Sequence, residues 1–124
     1  MAHRVLFIDD DEALRSAMSR SFTFDYDLTS VNSGWSGLDA LAESSDFAVV
    51  LLDLQMPEMD GVEFIAKAKE LQLGCKFIVL TGNTDAASVE YVNTSSDVFR
   101  LLFKPCTKSE IVEAIEAAVA AYEG

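Results

Sequence analysis

The sequence predicts an α/β domain of three layers, in which helices cover both faces of a five-stranded parallel sheet. Short apolar runs alternate with segments of helical periodicity five times along the chain, which is the pattern of successive strand–helix units. The apolar runs are continuous, as in strands that are buried on both faces. The 124 residues fit one domain by length, and no repeat or linker divides them, so we take residues 1–124 as a single domain.

The strands are predicted from five apolar runs, four of which end directly before a residue with a functional group. The second run is weaker than the others, and the third is the longest uninterrupted one. The predicted strands are Arg4–Ile8, Tyr26–Val31, Phe47–Leu52, Lys76–Leu80 and Val98–Phe103.

Five helices are predicted between and after these strands from apolar residues three or four positions apart. The last is the clearest, because Thr107 and Glu110 form a capping box in front of its apolar stripe. Asp85 is the N-cap predicted for the short fourth helix. The helical patterns cover Leu14–Phe22, Trp35–Leu41, Gly61–Leu71, Asp85 to about Val92, and Ile111–Tyr122.

Charge and residue counts exclude several classes of function. The chain carries 21 Asp and Glu against 9 Lys and Arg, a net charge of −12, which argues against binding of nucleic acid or of an anionic membrane surface. The only histidine is His3, next to the N-terminus, which argues against Ser-His-Asp triads and Cys-His sites and excludes multi-histidine metal sites. Cys75 and Cys106 form no CxxC motif, and we find neither a secretory leader nor an apolar run of ~20 residues, so free thiols in a reducing cytoplasm are expected.

Carboxylates, a hydroxyl and a lysine follow four of the five predicted strands. Asp9 and Asp10 follow the first strand, Asp53 the third, Thr81 the fourth and Lys104 the fifth. In open α/β sheets, ligands bind beyond the carboxyl ends of the strands. If the strand order is 2-1-3-4-5, the strands that carry these residues are neighbours, about 4.8 Å apart. The side chains then converge on one small volume.

Such a set of side chains is suited to phosphoryl transfer. Three carboxylates in one pocket repel one another unless a cation joins them, and hard oxygen ligands with retained water suit Mg²⁺. A carboxylate in line with an incoming phosphoryl group can act as a nucleophile and form an aspartyl phosphate. The remaining requirements are positioning and charge neutralisation, which Mg²⁺, Lys104 and backbone N–H groups can supply.

Four segments carry a specific motif pattern: Phe7–Glu12, Asp53–Gly61, Leu80–Gly82 and Phe103–Pro105. They resemble the receiver domains of two-component response regulators, the phosphoacceptor family that includes chemotaxis regulators. The second segment, of the form D-L-x-M-P-x-M-D-G, is highly specific, and the resemblance covers essentially the whole chain. It implies a flavodoxin-like fold with the strand order 2-1-3-4-5. That order is a property of the family and does not follow from the spacing of the motifs.

The resemblance implies an acceptor and a Mg²⁺ site. Asp53 is the implied phosphoacceptor and also a metal ligand. Asp10 is implied to bind Mg²⁺ directly, and Asp9 largely through water. The backbone of Gln55 is implied as a metal ligand through its carbonyl and as a contact of the phosphoryl group.

The resemblance also implies residues that bind the phosphoryl group and respond to it. Lys104 would pair with the phosphoryl group, and its peptide bond to Pro105 would be cis. Thr81 would turn its hydroxyl inward to a phosphoryl oxygen after transfer, and Gly82 would leave room and offer its N–H. Leu101 lies where receivers commonly carry a Tyr or Phe whose ring moves together with the hydroxyl residue. This chain therefore lacks the aromatic ring of the usual readout, and a Leu would have to repack in its place.

The implied function is a phosphoacceptor switch in a two-component system and not a multiple-turnover enzyme. A sensor histidine kinase or phosphotransfer protein would donate the phosphoryl group, and a downstream effector domain or protein would read the result. Partners or a second copy would use the face of the fourth helix, the fifth strand and the fifth helix. The protein is expected in the cytoplasm, either as a stand-alone receiver or as a piece of a longer regulator.

Other interpretations stay open at this point. Asp9 to Glu12 alone could be a helix N-cap with acidic residues in the first turn. A phosphotransferase or phosphatase of the haloacid dehalogenase type would share the Asp, Thr, Lys and Mg²⁺ chemistry, but such enzymes typically carry a second Asp where this chain has Gln55. An FMN-binding flavodoxin would need a loop rich in Ser, Thr and Gly after the first strand. A degenerate receiver that acts as a phosphorylation-independent interaction module is the remaining alternative.

Overall fold

The computed structural model describes residues 3–22, 25–44, 46–54, 56, 58–82, 90 and 97–124. Within these residues, strands and helices alternate in the order that the sequence predicts. The strands are β1 (Arg4–Ile8), β2 (Asp27–Val31), β3 (Phe47–Leu52), β4 (Lys76–Thr81) and β5 (Val98–Phe103), and the helices are α1 (Glu12–Phe22), α2 (Gly34–Glu43), α3 (Gly61–Lys69) and α4 (Lys108–Glu123). The helix predicted from Asp85 to about Val92 lies outside the described residues, apart from Glu90.

The strands form one parallel sheet in the order β2-β1-β3-β4-β5, which confirms the expected topology. The central strand β3 is buried along its whole length. Ile8 at the end of β1 pairs with Val31 of β2 and with Leu52 of β3, and Thr81 at the end of β4 pairs with Phe103 of β5. The carboxyl ends of the strands therefore lie along one edge of the sheet.

Two apolar clusters, one on each face of the sheet, make the three layers. On one face, α2 and α3 contribute Leu41 and Phe64 to the core. On the other face, α1 and α4 contribute Phe22 and Ile115. Trp35, part of the apolar pattern of the second predicted helix, is 51% exposed at the surface.

A side chain caps each of the four helices at its start, at the edge where the strands end. Asp11 accepts hydrogen bonds from the first turn of α1, Ser33 from that of α2 and Asp60 from that of α3. Thr107 and Glu110 form the predicted capping box of α4. These caps fix the loops that surround the carboxyl edge of the sheet. No helix in the described part of the chain is long and apolar enough to cross a membrane.

Candidate functional site

Four residues that the sequence singles out meet at the carboxyl edge of the sheet. Asp9 follows β1, Asp53 follows β3, Thr81 ends β4 and Lys104 follows β5. Backbone hydrogen bonds continue the pairing beyond the strands, from the Asp53 N–H to the Ile8 carbonyl (3.4 Å) and from the Lys104 N–H to the Thr81 carbonyl (2.9 Å). The sheet thus sets the positions of all four side chains.

Lys104 joins the two carboxylates of this site. Its Nζ donates to Asp9 Oδ2 and to Asp53 Oδ2, each at 2.9 Å. These two carboxylate oxygens are therefore separated by at most twice that distance. Thr81 Oγ1 donates to the other Asp53 oxygen at 3.0 Å. Asp9 is 2% exposed and Thr81 is fully buried, whereas 28% of the Lys104 side chain reaches solvent. The site is therefore a small polar pocket that is open on the side of the lysine.

The two carboxylates keep Lys104 charged. Burial alone would lower the pKa of the Lys104 ammonium, but the hydrogen bonds to Asp53 and Asp9 outweigh burial and raise its pKa. The lysine therefore carries its proton at neutral pH. It balances only part of the negative charge that Asp9 and Asp53 bring to the pocket.

The first turn of α1 separates the roles of the acidic residues that follow β1. Asp11 is the N-cap, since its Oδ1 accepts the N–H groups of Ala13 (3.0 Å) and Leu14 (3.2 Å). Its own N–H donates to Asp9 Oδ1 at 2.9 Å. The capping interpretation of this acidic segment thus holds for Asp11, and it leaves Asp9 in the pocket and Asp10 exposed beside it.

Arg15 is a further residue of the site that no motif singled out. Its Nη1 donates to the backbone carbonyl of Asp9 at 2.8 Å. An arginine near the start of an amphipathic helix is an ordinary surface residue by pattern. Only the path of the chain between β1 and α1 shows that it contacts the backbone behind the Asp9 carboxylate.

The oxygen donors of the pocket fit Mg²⁺. Asp9 and Asp53 bring two carboxylates together, and Mg²⁺ needs only one or two protein carboxylates because it retains several waters. Within the described residues, no group of three or more Asp, Glu, His or Cys side chains is arranged to hold a metal ion. Asp10 is exposed, and Gln55 lies outside the described residues, so neither is placed as a ligand.

The segment between Asp53 and α3 packs tightly against the end of β3. The Gly61 N–H donates to the Leu54 carbonyl at 2.9 Å, and a Cβ on Gly61 would lie only 2.8 Å from the Asp53 carbonyl oxygen. Glycine at this position therefore allows the start of α3 to approach the backbone of Asp53. Pro57, which belongs to the motif segment Asp53–Gly61, lies outside the described residues.

The remaining predicted residues lie around the pocket. The Lys104–Pro105 peptide is cis, as the resemblance implies. Gly82 is exposed, and no atom of the described residues would lie within 4 Å of a Cβ there, so that part of the structure leaves the space beside it open. Leu101 is half-buried and packs against the apolar cluster on the α2 and α3 face of the sheet.

Comparison with known proteins identifies the family. The family model of the response regulator receiver domain matches residues 5–116. The chain belongs to this family. Receiver domains act in two-component signalling, generally as signal transducers and not as enzymes. Neither the match nor the relatives support the phosphatase, flavodoxin or degenerate alternatives over this assignment.

Individual relatives agree with the family match. The response regulator protein VraR of Staphylococcus epidermidis is 32% identical over an alignment of 126 residues. The alignment covers 100% of this chain and 58% of that protein. The transcriptional regulatory protein GlrR of Escherichia coli K12 is 33% identical, over 96% of this chain and 27% of that protein. The receiver therefore spans 58% or less of the length of these two relatives.

Solved structures share the receiver fold. A CheY-like receiver domain from Methanospirillum hungatei has a TM-score of 0.87 and 28% identity, and the match covers 99% of this chain and 98% of that one. A chain solved as adenylate cyclase from Rhodopirellula baltica has a TM-score of 0.91 and 37% identity, with coverage of 99% and 91%.

Proposed function

We propose that this receiver accepts one phosphoryl group on Asp53, from a sensor histidine kinase or a phosphotransfer protein. The observation that carries the proposal is the hydrogen-bonded set of Asp53, Thr81 and Lys104 beside the buried carboxylate of Asp9. Within the described part of the pocket, both oxygens of Asp53 contact a side chain that can also bind a phosphoryl oxygen. The acceptor is therefore surrounded by groups suited to its product.

In the proposed reaction, a carboxylate oxygen of Asp53 attacks the phosphorus. The new P–O bond forms as the bond from phosphorus to the donor breaks, and the electron pair leaves with the donor. The ammonium of Lys104, 2.9 Å from Asp53 Oδ2, then exchanges that contact for an oxygen of the phosphoryl group. Because Lys104 also holds Asp9, it stays anchored while its second contact changes.

Mg²⁺ would neutralise charge on the phosphoryl oxygens and on the acidic pocket when it is bound. Asp9 and Asp53 are the side chains that the fold brings together for it, and the proposal adds Asp10 and the Gln55 carbonyl as further ligands. The backbone N–H groups at Gln55 and Gly82 complete the proposed phosphoryl site. The space that the described residues leave open beside Gly82 supports this assignment.

Thr81 is the proposed link from the pocket to the rest of the domain. Its hydroxyl now donates to Asp53 Oδ1, and phosphorylation would offer it a more strongly charged acceptor in its place. The Thr81 carbonyl accepts the N–H of Lys104, and its strand neighbour is Phe103. A shift of Thr81 would therefore reach β5, where Leu101 repacks in place of the usual aromatic residue.

We propose that residues 1–124 act as one domain, in the cytoplasm. The surface read by an effector or by a second copy is the face of β5, α4 and the predicted helix from Asp85 to about Val92. The response regulators among its relatives support a kinase as the upstream partner. The proposed chemistry comprises acceptance and loss of the phosphoryl group, with no multiple turnover of a small substrate.

Intact mass spectrometry tests the proposal. The protein is incubated with a small phosphodonor and Mg²⁺, and we expect the mass of one added phosphoryl group, which is absent with EDTA and in Asp53→Asn. Asp39→Asn removes an exposed carboxylate on α2 and serves as a control for charge. It should be modified like the wild type. An unmodified wild type, in the presence of a cognate kinase as well, would overturn the proposal.

A further inference from the structure

Asp9 is held by hydrogen bonds on all four of its polar groups. Its N–H donates to the Val31 carbonyl (3.2 Å), and its Oδ1 accepts from the Asp11 N–H (2.9 Å). Its Oδ2 accepts from Lys104 Nζ (2.9 Å), and its carbonyl accepts from Arg15 Nη1 (2.8 Å). The sheet, the α1 cap and the pocket explain the first three contacts. The contact with Arg15 belongs to none of these three features.

The carbonyl that Arg15 contacts belongs to the peptide group that joins Asp9 to Asp10. A peptide group is planar and nearly rigid, so fixing its oxygen also fixes the direction in which the chain enters Asp10. Asp10 is exposed, so its backbone, and not packing, determines where it lies. A guanidinium donor makes this hydrogen bond stronger than one from a neutral group.

We propose that Arg15 is a positioning residue, which fixes the Asp9–Asp10 peptide so that the Asp9 carboxylate stays in the pocket and Asp10, a proposed ligand, can turn toward Mg²⁺. The inference rests on the proposed function, in which these carboxylates hold the metal. The backbone of Arg15 is fixed in the helix, because its N–H donates to the Asp11 carbonyl at 3.0 Å in the first turn of α1. Arg15 and Asp11 thus hold the backbone carbonyl and the side chain of Asp9 from the same helical turn.

The competing explanation is that Arg15 acts only through its charge. The two explanations predict opposite changes in Mg²⁺ affinity when Arg15 is removed. If Arg15 contributed charge alone, its removal would leave the pocket more negative and would tighten Mg²⁺ binding. If Arg15 positions the peptide, its removal weakens Mg²⁺ binding, although the pocket then attracts cations more strongly.

The test is a Mg²⁺ titration of the unphosphorylated full chain, followed by the backbone amide NMR signals of residues around the pocket. Arg15→Met should weaken Mg²⁺ binding about tenfold, the lower end of what loss of a residue behind a metal ligand usually costs. Arg15→Lys keeps the charge and one donor, and it should fall between Arg15→Met and the wild type. Arg20→Met removes an exposed arginine from the end of the same helix and should bind Mg²⁺ as the wild type does, or slightly more tightly.

A second readout needs no metal. The carbonyl ¹³C signal of Asp9 should move in Arg15→Met and stay in place in Arg20→Met. Equal Mg²⁺ affinity in Arg15→Met and Arg20→Met would overturn the positioning role while leaving the proposed function intact. A wild type that shows no response to millimolar Mg²⁺ would overturn both.

Discussion

Replacing Lys104 by Met tests the charge balance of the pocket. The substitution keeps most of the length of the side chain and removes the ammonium that lies 2.9 Å from both Asp9 and Asp53. At an effective dielectric constant of ~20, two carboxylate charges about 6 Å apart repel by about 3 kcal/mol. The variant leaves this repulsion uncompensated, in a pocket where Asp9 is 2% exposed.

The expected loss of stability is about 2–3 kcal/mol, below the 3–5 kcal/mol typical of a broken buried ion pair, because solvent reaches Lys104 and screens the charges. For a domain of 124 residues this corresponds to a fall in Tm of roughly 6–10 °C. Thermal unfolding, followed by circular dichroism at low salt with EDTA, measures it. Millimolar Mg²⁺ should restore most of the loss, because it supplies the missing positive charge, and should stabilise the variant more than the wild type.

Lys108→Met is the matched control. Lys108 lies 3.5 Å from Asp25, and both side chains are about half exposed, so its loss should cost less than about 1 kcal/mol and should not respond to Mg²⁺. The reasoning is refuted if Lys104→Met unfolds at the wild-type temperature in EDTA. It is also refuted if Mg²⁺ raises the Tm of the variant and of the wild type equally.

Three further predictions concern single groups. Gly61→Ala places a Cβ 2.8 Å from the Asp53 carbonyl oxygen and should lower the free energy of unfolding by about 2 kcal/mol in urea titrations, whereas an unchanged midpoint would contradict the tight packing. Burial, aided by Glu116, raises the pKa of Tyr26 from 10.0 to about 12, so the folded state favours the neutral phenol and loses stability as the pH rises between these values. Tyr26→Phe should flatten that alkaline loss in pH-dependent urea unfolding, and an equally steep loss in the variant would contradict the assignment. Burial raises the pKa of the Cys75 thiol to about 11. Iodoacetamide at neutral pH should therefore label Cys75 only as fast as the protein unfolds. Rapid labelling of the folded chain would contradict the burial of this thiol.

The sequence pattern predicts the sheet closely because its strands are continuous apolar runs. The bounds of β1, β3 and β5 agree with the prediction, and β4 extends one residue further, since the Thr81 carbonyl pairs with Lys104 beyond the last apolar residue. Helix periodicity predicts the burial of individual side chains less well. Trp35 shares the spacing of Leu41 but lies at the surface, with Lys67 Nζ 5.7 Å from its ring centroid.

The sequence predicts which residues form the site, but not which of them hydrogen-bond to one another. Position at the strand ends, together with the strand order that the resemblance implies, is enough to bring Asp53, Thr81 and Lys104 together, because parallel strands end at one edge. That Lys104 bridges two carboxylates depends on distances between residues far apart in the chain, and local patterns carry no such information. Arg15 is missed for a different reason, since its partner is a backbone carbonyl that any residue at position 9 would provide.

The most direct test of the central claim is to locate the phosphoryl group on the chain. Borohydride reduces an aspartyl phosphate to homoserine, so reduction after treatment with a phosphodonor and Mg²⁺, followed by peptide mapping, identifies the acceptor. We expect homoserine at position 53, with Asp9 and Asp10 unchanged, because Asp53 is the one of these three whose described contacts include both Thr81 and Lys104. Homoserine at position 9 or 10, or none in a protein that has gained a phosphoryl group, would contradict it.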